Sequence, residues 1–135
     1  PLTKIASGGE ISRVMLALKT ILAEIDEMPT MIFDEIDAGI GGRTAYIIGQ
    51  KLKQIAKVRQ VLCITHLPQI ACMANAHFVV EKKVYGNRTK IEARRLNEEE
   101  RVLEIARMLG GQKTKITLAH AREMLSVNGK NTIFS

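Results

Sequence analysis

Two adjacent carboxylates, Asp34 and Glu35, close the short apolar run TMIFDE (Thr30 to Glu35). Magnesium prefers one or two carboxylates, several waters and phosphate oxygens, and Asp34 fits that role through water. Glu35, one residue on, has the chemistry to orient or deprotonate an attacking water. The alternative is a solvated strand end that binds nothing. A second apolar run, QVLCIT (Gln60 to Thr65), is followed by His66, an imidazole able to reach a phosphate from a neighbouring strand end. A third stretch, IASGGEISRVMLALKTIL (Ile5 to Leu22), opens an amphipathic helix on Gly8 and Gly9, each of which weakens a helix by roughly 1 kcal/mol relative to alanine. Ser7 and Glu10 form a capping box, which accounts for those two residues and not for the glycines. Bare N–H groups at a helix start bind anions, phosphate above all, and glycine lets a ligand approach the backbone.

The elements that position these groups follow from periodicity. Ile11, Val14, Met15, Leu18, Ile21, Leu22 and Ile25 recur at three- and four-residue steps, predicting a helix from Gly8 to Asp26 with one apolar face. Met28-Pro29 breaks it. Thr30 to Glu35 and Gln60 to Thr65 read as buried strands. Between them lie the glycine-rich loop IDAGIGG and a helix from Arg43 to Lys57, with Ala45, Ile48, Leu52 and Ile55 on one side. Strands joined by a crossover helix pair in parallel, and open α/β sheets bind ligands at the carboxyl ends of their strands. Asp34, Glu35, Thr65 and His66 are therefore predicted on one rim. Downstream, LPQIACMAN reads as a short helix. HFVVEKKVY and RTKIEARRL read as a hairpin turning at Gly86-Asn87. Asn97 caps the helix EEERVLEIARML, Gly110-Gly111 ends it, and ITLAHAREML is the last helix.

These motifs in this order resemble the ATP-binding-cassette ATPases. ASGGE (Ala6 to Glu10) is similar to the family's signature motif, TMIFDE to Walker B, IDAGIGG to the D-loop, and CITH to the switch-histidine strand. DEIDAGI departs from the transporters' usual DEPT and resembles the SMC-like branch. THLPQIA (Thr65 to Ala71) and EIARMLGG…LAHAREML are similar to its bacterial members that act in DNA double-strand-break repair and recombination. The resemblance implies a P-loop NTPase-like α/β head. It implies ATP and Mg2+ as cofactors, with Glu35 and His66 catalytic and Asp34 on the metal. Ser7, Gly8, Gly9, Glu10 and Asp37 would bind the nucleotide, the signature residues reaching ATP held by a second head. No G-x-x-x-x-G-K-[ST] loop is present, and GIGGRT lacks both its spacing and its lysine. Residues 1–135 are thus expected to be the carboxyl-terminal lobe of a split head. The expected partners are an amino-terminal P-loop half of the same protein, a second head joined through ATP, and DNA through the whole protein. Rival readings are a non-catalytic interaction module on the same fold and a transporter ATPase fragment.

Composition sets the outer limits. A chain of 135 residues can bury one domain's core. Its 4% aromatic content, without Trp, argues against a base-stacking single-strand platform. No apolar run reaches membrane-spanning length and no signal peptide is visible, so no membrane partner is expected. Two cysteines do not make a disulfide framework, which points to a reducing cytoplasm and, with DNA, to the nucleoid. The chain opens on Pro1 rather than Met, as a piece of something longer would. A net charge of +6 permits an acidic partner. Lys82, Lys83, Arg88, Lys90, Arg94 and Arg95 gather on the hairpin, either to meet phosphates or to solvate an exposed face. Cys63, His66, Cys72 and His77 are zinc-ligand types whose spacing matches no usual zinc pattern, and Cys63 sits in a strand where cysteine serves as a small hydrophobe.

Overall fold

Thr30–Phe33 forms β1 and Gln60–Cys63 forms β2, with helix α2 (Gly42–Ile55) crossing between them. The strands pair in parallel from Thr30↔Gln60 to Phe33↔Cys63, and the ladder runs one bond further, from the Ile64 N–H to the Phe33 carbonyl at 2.9 Å. This is the topology that the strand-helix-strand order predicts. The computed structural model describes residues 8–21, 28–86, 88–110 and 114–129. Ser7, Asn87, Gly111 and the expected helical extension over 22–26 lie outside the described residues. The chain divides into two units, Pro1–Met73 and Ala74–Ser135.

The first unit has a core on one side of its sheet. Met31 and Phe33 join Ile36, Ala45, Ile48, Leu52 and Ile55, with Val61 and Cys63 packed against them. A short helix, α3 (Pro68–Ala71), adds Ile70. The sequence reads both strands as buried, and the structure corrects this. Ile32 is 69% exposed, and Leu62 and Ile64 are exposed beside it. Alternation sends successive side chains to opposite faces, and among the described residues the core covers only one of them.

The second unit is a hairpin followed by two helices. β3 (Phe78–Tyr85) and β4 (Arg88–Arg95) are antiparallel, and Gly86 turns at φ 57°, in the left-handed region open to glycine. Asn97 starts α4 (Glu98–Gly110) with a reciprocal box: its side chain accepts from the Glu100 N–H at 2.9 Å, and Glu100 accepts from the Asn97 N–H at 2.8 Å. α5 is Lys115–Gly129. Several hairpin cations are ion-paired. Lys83 and Lys90 both reach Glu92, at 2.7 and 3.0 Å, and Arg94 reaches Glu100. That pairing favours the solvated-face reading of the basic cluster.

Helix α1 (Gly8–Ile21) departs most from expectation. An apolar stripe on a surface helix ordinarily faces the core, yet Ile11, Val14, Met15, Leu18 and Ile21 are exposed. Gly9 and Leu16 are the buried residues, and Ser12 and Arg13 lie between them on the same side. Ser12 Oγ donates to the Asp34 carbonyl at 2.9 Å, and Arg13 Nη1 donates to the Ala38 carbonyl at 2.9 Å and the Ile36 carbonyl at 3.4 Å. The helix is thus pinned by polar bonds to the turn after β1. These bonds fix which face docks, and the apolar stripe is left outside.

Gly9 now has a reason within the chain. A Cβ on Gly9 would lie 2.7 Å from the Glu35 carbonyl oxygen and 2.9 Å from the Ala38 Cβ. A side chain at Gly9 would therefore meet backbone it cannot displace, a constraint that a capping box alone does not impose. A Cβ on Gly8 would meet Glu35 Oε2 at 2.5 Å, the end of a flexible side chain that can move aside. Gly9→Ala is expected to lose stability, because overpacking costs about 1–3 kcal/mol against a helix gain of roughly 1 kcal/mol. Gly8→Ala should stay within about 0.5 kcal/mol of the parent. Urea midpoints of the two variants check this, and equal midpoints would show that α1 backs away from the turn freely.

Candidate functional site

The parallel pairing brings two loops to one edge. Residues 34–38 leave β1 and residues 64–67 leave β2. The acid turn is tight: Asp34 Oδ1 accepts from the Glu35 N–H at 2.8 Å, and the Glu35 carbonyl accepts from the Ala38 N–H at 3.1 Å. Glu35 has φ 55°, a left-handed conformation that costs a non-glycine residue roughly 1–2 kcal/mol. Strain of this kind gathers at functional sites, where the surroundings over-determine the backbone. Here the surroundings are the α1 contacts from Ser12 and Arg13.

Asp34 and Glu35 are exposed, and neither is paired with a cationic side chain among the described residues. Two uncompensated carboxylates on a strand-end rim suit a divalent cation that also takes phosphate and water. Among the described residues no group of three or more His, Cys, Asp or Glu side chains gathers as an all-protein metal cage would need. Cys63 is a poor thiolate: burial, then the charges of Asp37 and Asp34, push its thiol up to about 12.

Asp37 behaves differently from the other two acids. It is buried, and one oxygen, Oδ2, accepts from Thr65 Oγ1 at 2.6 Å and from the His66 N–H at 2.8 Å. His66 Nδ1 lies 3.0 Å from the same atom. Burial alone would raise the Asp37 pKa. The hydrogen bonds from Thr65 and the His66 backbone, with the nearby imidazole, outweigh it and hold the carboxyl below its ordinary value. Asp37 therefore ties the first loop to the second.

The structure places Asp34, Glu35, Asp37, Thr65 and His66 at one edge, with the start of α1 and its residues Gly8, Gly9 and Glu10 docked beside the acid turn through Gly9, Ser12 and Arg13. Sequence reasoning missed Ser12 and Arg13. The available signal was two polar residues inside an apolar helix, four and five positions after Gly8.

The chain has clear relatives. It is 51% identical over 128 residues to the DNA repair protein RecN of Halalkalibacterium halodurans, covering 94% of this chain and 23% of that protein. It is 52% identical over 131 residues to RecN of Treponema pallidum, covering 96% and 23%, and 46% identical over 125 residues to RecN of Bacillus subtilis, covering 92% and 22%. The chain thus spans less than a quarter of the length of these relatives. No protein-family model matches it. A structure solved in work on ATP-driven dimerization and DNA-stimulated activation of SMC ATPases superposes with a TM-score of 0.53 at 20% identity, covering 82% of this chain and 66% of that one. Over nearly its whole length the chain is similar to a segment of the RecN DNA repair proteins, and its α/β fold is that of an SMC ATPase head.

Proposed function

We propose that the chain is the carboxyl-terminal lobe of a split, SMC-like ATPase head that works in repair and recombination of broken DNA in the bacterial cytoplasm. The observation that carries the reading is the single rim holding Asp34, Glu35 and His66, with the N-terminus of α1 docked against it. ATP with Mg2+ is the proposed cofactor. When bound, magnesium would draw charge off the phosphates and polarise the bond to be broken. Asp34 would hold it through water, Glu35 would orient or deprotonate the attacking water, and His66 would contact the terminal phosphate. Ser7, Gly8, Gly9 and Glu10 would meet ATP held by a second head, making that ATP the link of a homodimer.

The open surfaces support an incomplete head. Parallel sheets occur almost only with both faces covered, whereas Ile32, Leu62 and Ile64 lie open here, and so does the apolar stripe of α1. An amino-terminal half carrying the P-loop is the proposed cover, and DNA would be engaged by the whole protein. The membrane has no part in this reading. Among the described residues no helix is long and apolar enough to cross one.

In a protein containing both halves, Glu35→Gln should leave ATP binding nearly intact and slow hydrolysis by about 10²–10⁴. It should also prolong the ATP-bound dimer. Asp34→Ala should instead change the Mg2+ dependence. Residues 1–135 alone should show no turnover above a Glu35→Gln control in a steady-state assay. Robust turnover by residues 1–135 that depends on Glu35 would overturn the split-head reading.

Ser7 separates the capping role from the phosphate role. Aspartate caps a helix as well as serine does, so a mere cap predicts that Ser7→Asp is silent. Facing a phosphate, the new carboxylate would meet a like charge. At roughly 4 Å and an effective dielectric of 20, that repulsion is about 4 kcal/mol, or about three orders of magnitude in association. The expected outcome is a normal melting temperature with ATP-driven dimerisation lost. A Ser7→Asp protein that melts, dimerises and hydrolyses normally reduces SGGE to a helix cap.

A further inference from the structure

The carbonyl oxygens of residues 34, 35, 36 and 38 all meet α1. Ser12 Oγ donates to the Asp34 carbonyl at 2.9 Å. Arg13 Nη1 donates to the Ala38 carbonyl at 2.9 Å and, at a long 3.4 Å, to the Ile36 carbonyl. The Glu35 carbonyl lies against Gly9, where a Cβ would come within 2.7 Å of it. The same absent Cβ would stand 3.1 Å from Arg13 Nη1, so Gly9 makes room for the guanidinium as well as for the turn. Arg13 is a cation beside two carboxylates, yet among the described residues it donates to backbone carbonyls and pairs with neither acid.

These contacts bracket Glu35. The φ and ψ of a residue are rotations between the two peptide planes that flank it, and each plane is itself rigid. The plane before Glu35 is held at both ends, its carbonyl by Ser12 and its N–H by Asp34 Oδ1 at 2.8 Å. The plane after it is held by the bond from the Ala38 N–H to the Glu35 carbonyl at 3.1 Å. Arg13 in turn fixes residue 38 and, more loosely, residue 36. The φ of 55° at Glu35 is disfavoured for a residue with a Cβ, so it persists only where the surroundings hold it. We infer that Ser12 and Arg13 are positioning residues for Glu35: they brace its left-handed backbone and so set where its carboxylate stands on the rim. Because the brace acts on carbonyls, it aims the acid without neutralising it.

The kinetic part of this inference rests on the ATPase reading above, and the structural part does not. The structural test uses the whole protein without nucleotide, labelled with 15N-alanine, and reads exchange of single amides with solvent. Arg13→Met keeps much of the side chain's length and removes its donors. It should speed exchange at Ala38 by about 10-fold, the scale of one or two net hydrogen bonds. Ser12→Ala removes one bond and no charge, and should speed Ala38 in the same direction. Ala45, whose N–H donates to the Gly41 carbonyl at 3.0 Å, should exchange as in the parent. Unchanged exchange at Ala38 in either folded variant would overturn the inference. So would equal acceleration at Ala45, which would make these bonds part of general stability. If Arg13→Met fails to fold, Ser12→Ala decides by the same reading. In the ATPase assay both variants should lower kcat, Arg13→Met by about 10- to 100-fold, the cost of slightly misplacing a reacting group. KM for ATP should stay within about 3-fold of the parent, since the loss falls on the chemical step. Neither variant should lower kcat further in a Glu35→Gln background. A further drop there would overturn the brace, and so would a loss confined to Arg13→Met, which would assign the effect to charge. A parent protein that hydrolyses nothing would strike the ATPase reading, and exchange at Ala38 would then decide the brace by itself.

Discussion

The parallel pairing of β1 and β2 is the constraint on which the site depends. Residues 33 and 63 lie opposite each other, and one more bond, Ile64 to Phe33, carries the register to the strand ends. A slip of one residue would send Met31 and Phe33 to the open face and Ile32 into the core. It would also move the acid turn relative to the histidine loop. The Asp37 carboxylate, buried and receiving three contacts, could not follow such a slip, because its donors are fixed on the other loop. Core packing and the polar tie thus enforce the same register.

The second coupling runs through α1. Ser12 and Arg13 hold the helix on the carbonyls of residues 34, 36 and 38, and Gly9 brings the helix backbone against Glu35. The turn they hold contains a left-handed Glu35. In the proposed dimer these two features serve different ATP molecules, since the signature residues reach across to the partner head. Their link within one chain would then let a shift at one phosphate be felt at the acids of the other site. That link needs no moving lid, only the close approach that Gly9 permits.

Much of this was legible in the sequence. Periodicity located α2, the strands and the hairpin, and Asn97 was readable as the cap of α4, though not its reciprocal bond with Glu100. The convergence of Asp34, Glu35, Thr65 and His66 followed from topology. The docking face of α1 was not legible, because hydrophobic periodicity reports which face is apolar and not which face this segment uses. Here two hydrogen-bonding side chains and one glycine outrank five apolar residues. The strands misled for a related reason: a continuous apolar run predicts burial on both faces, and it carries no information about which other segment supplies the second cover. The Asp37–His66 pair joins residues nearly thirty apart through a single oxygen, and no local pattern encodes it.

Charge explains why such a site would be divided between chain segments. The chain is basic overall, at +6, yet the rim is built from Asp34, Glu35 and the ionised Asp37, with His66 beside them. A nucleoside triphosphate brings several negative charges of its own. Two like charges about 4 Å apart repel by about 4 kcal/mol at an effective dielectric of 20, so this rim alone opposes the ligand it is proposed to act on. Binding then has to come from elsewhere: a divalent cation on Asp34, and the lysine and backbone N–H groups of a phosphate-cradling loop. In the proposed head this lobe would supply what hydrolysis requires, acids to handle metal and water and a histidine beside them. The affinity would lie with the proposed half that supplies the loop.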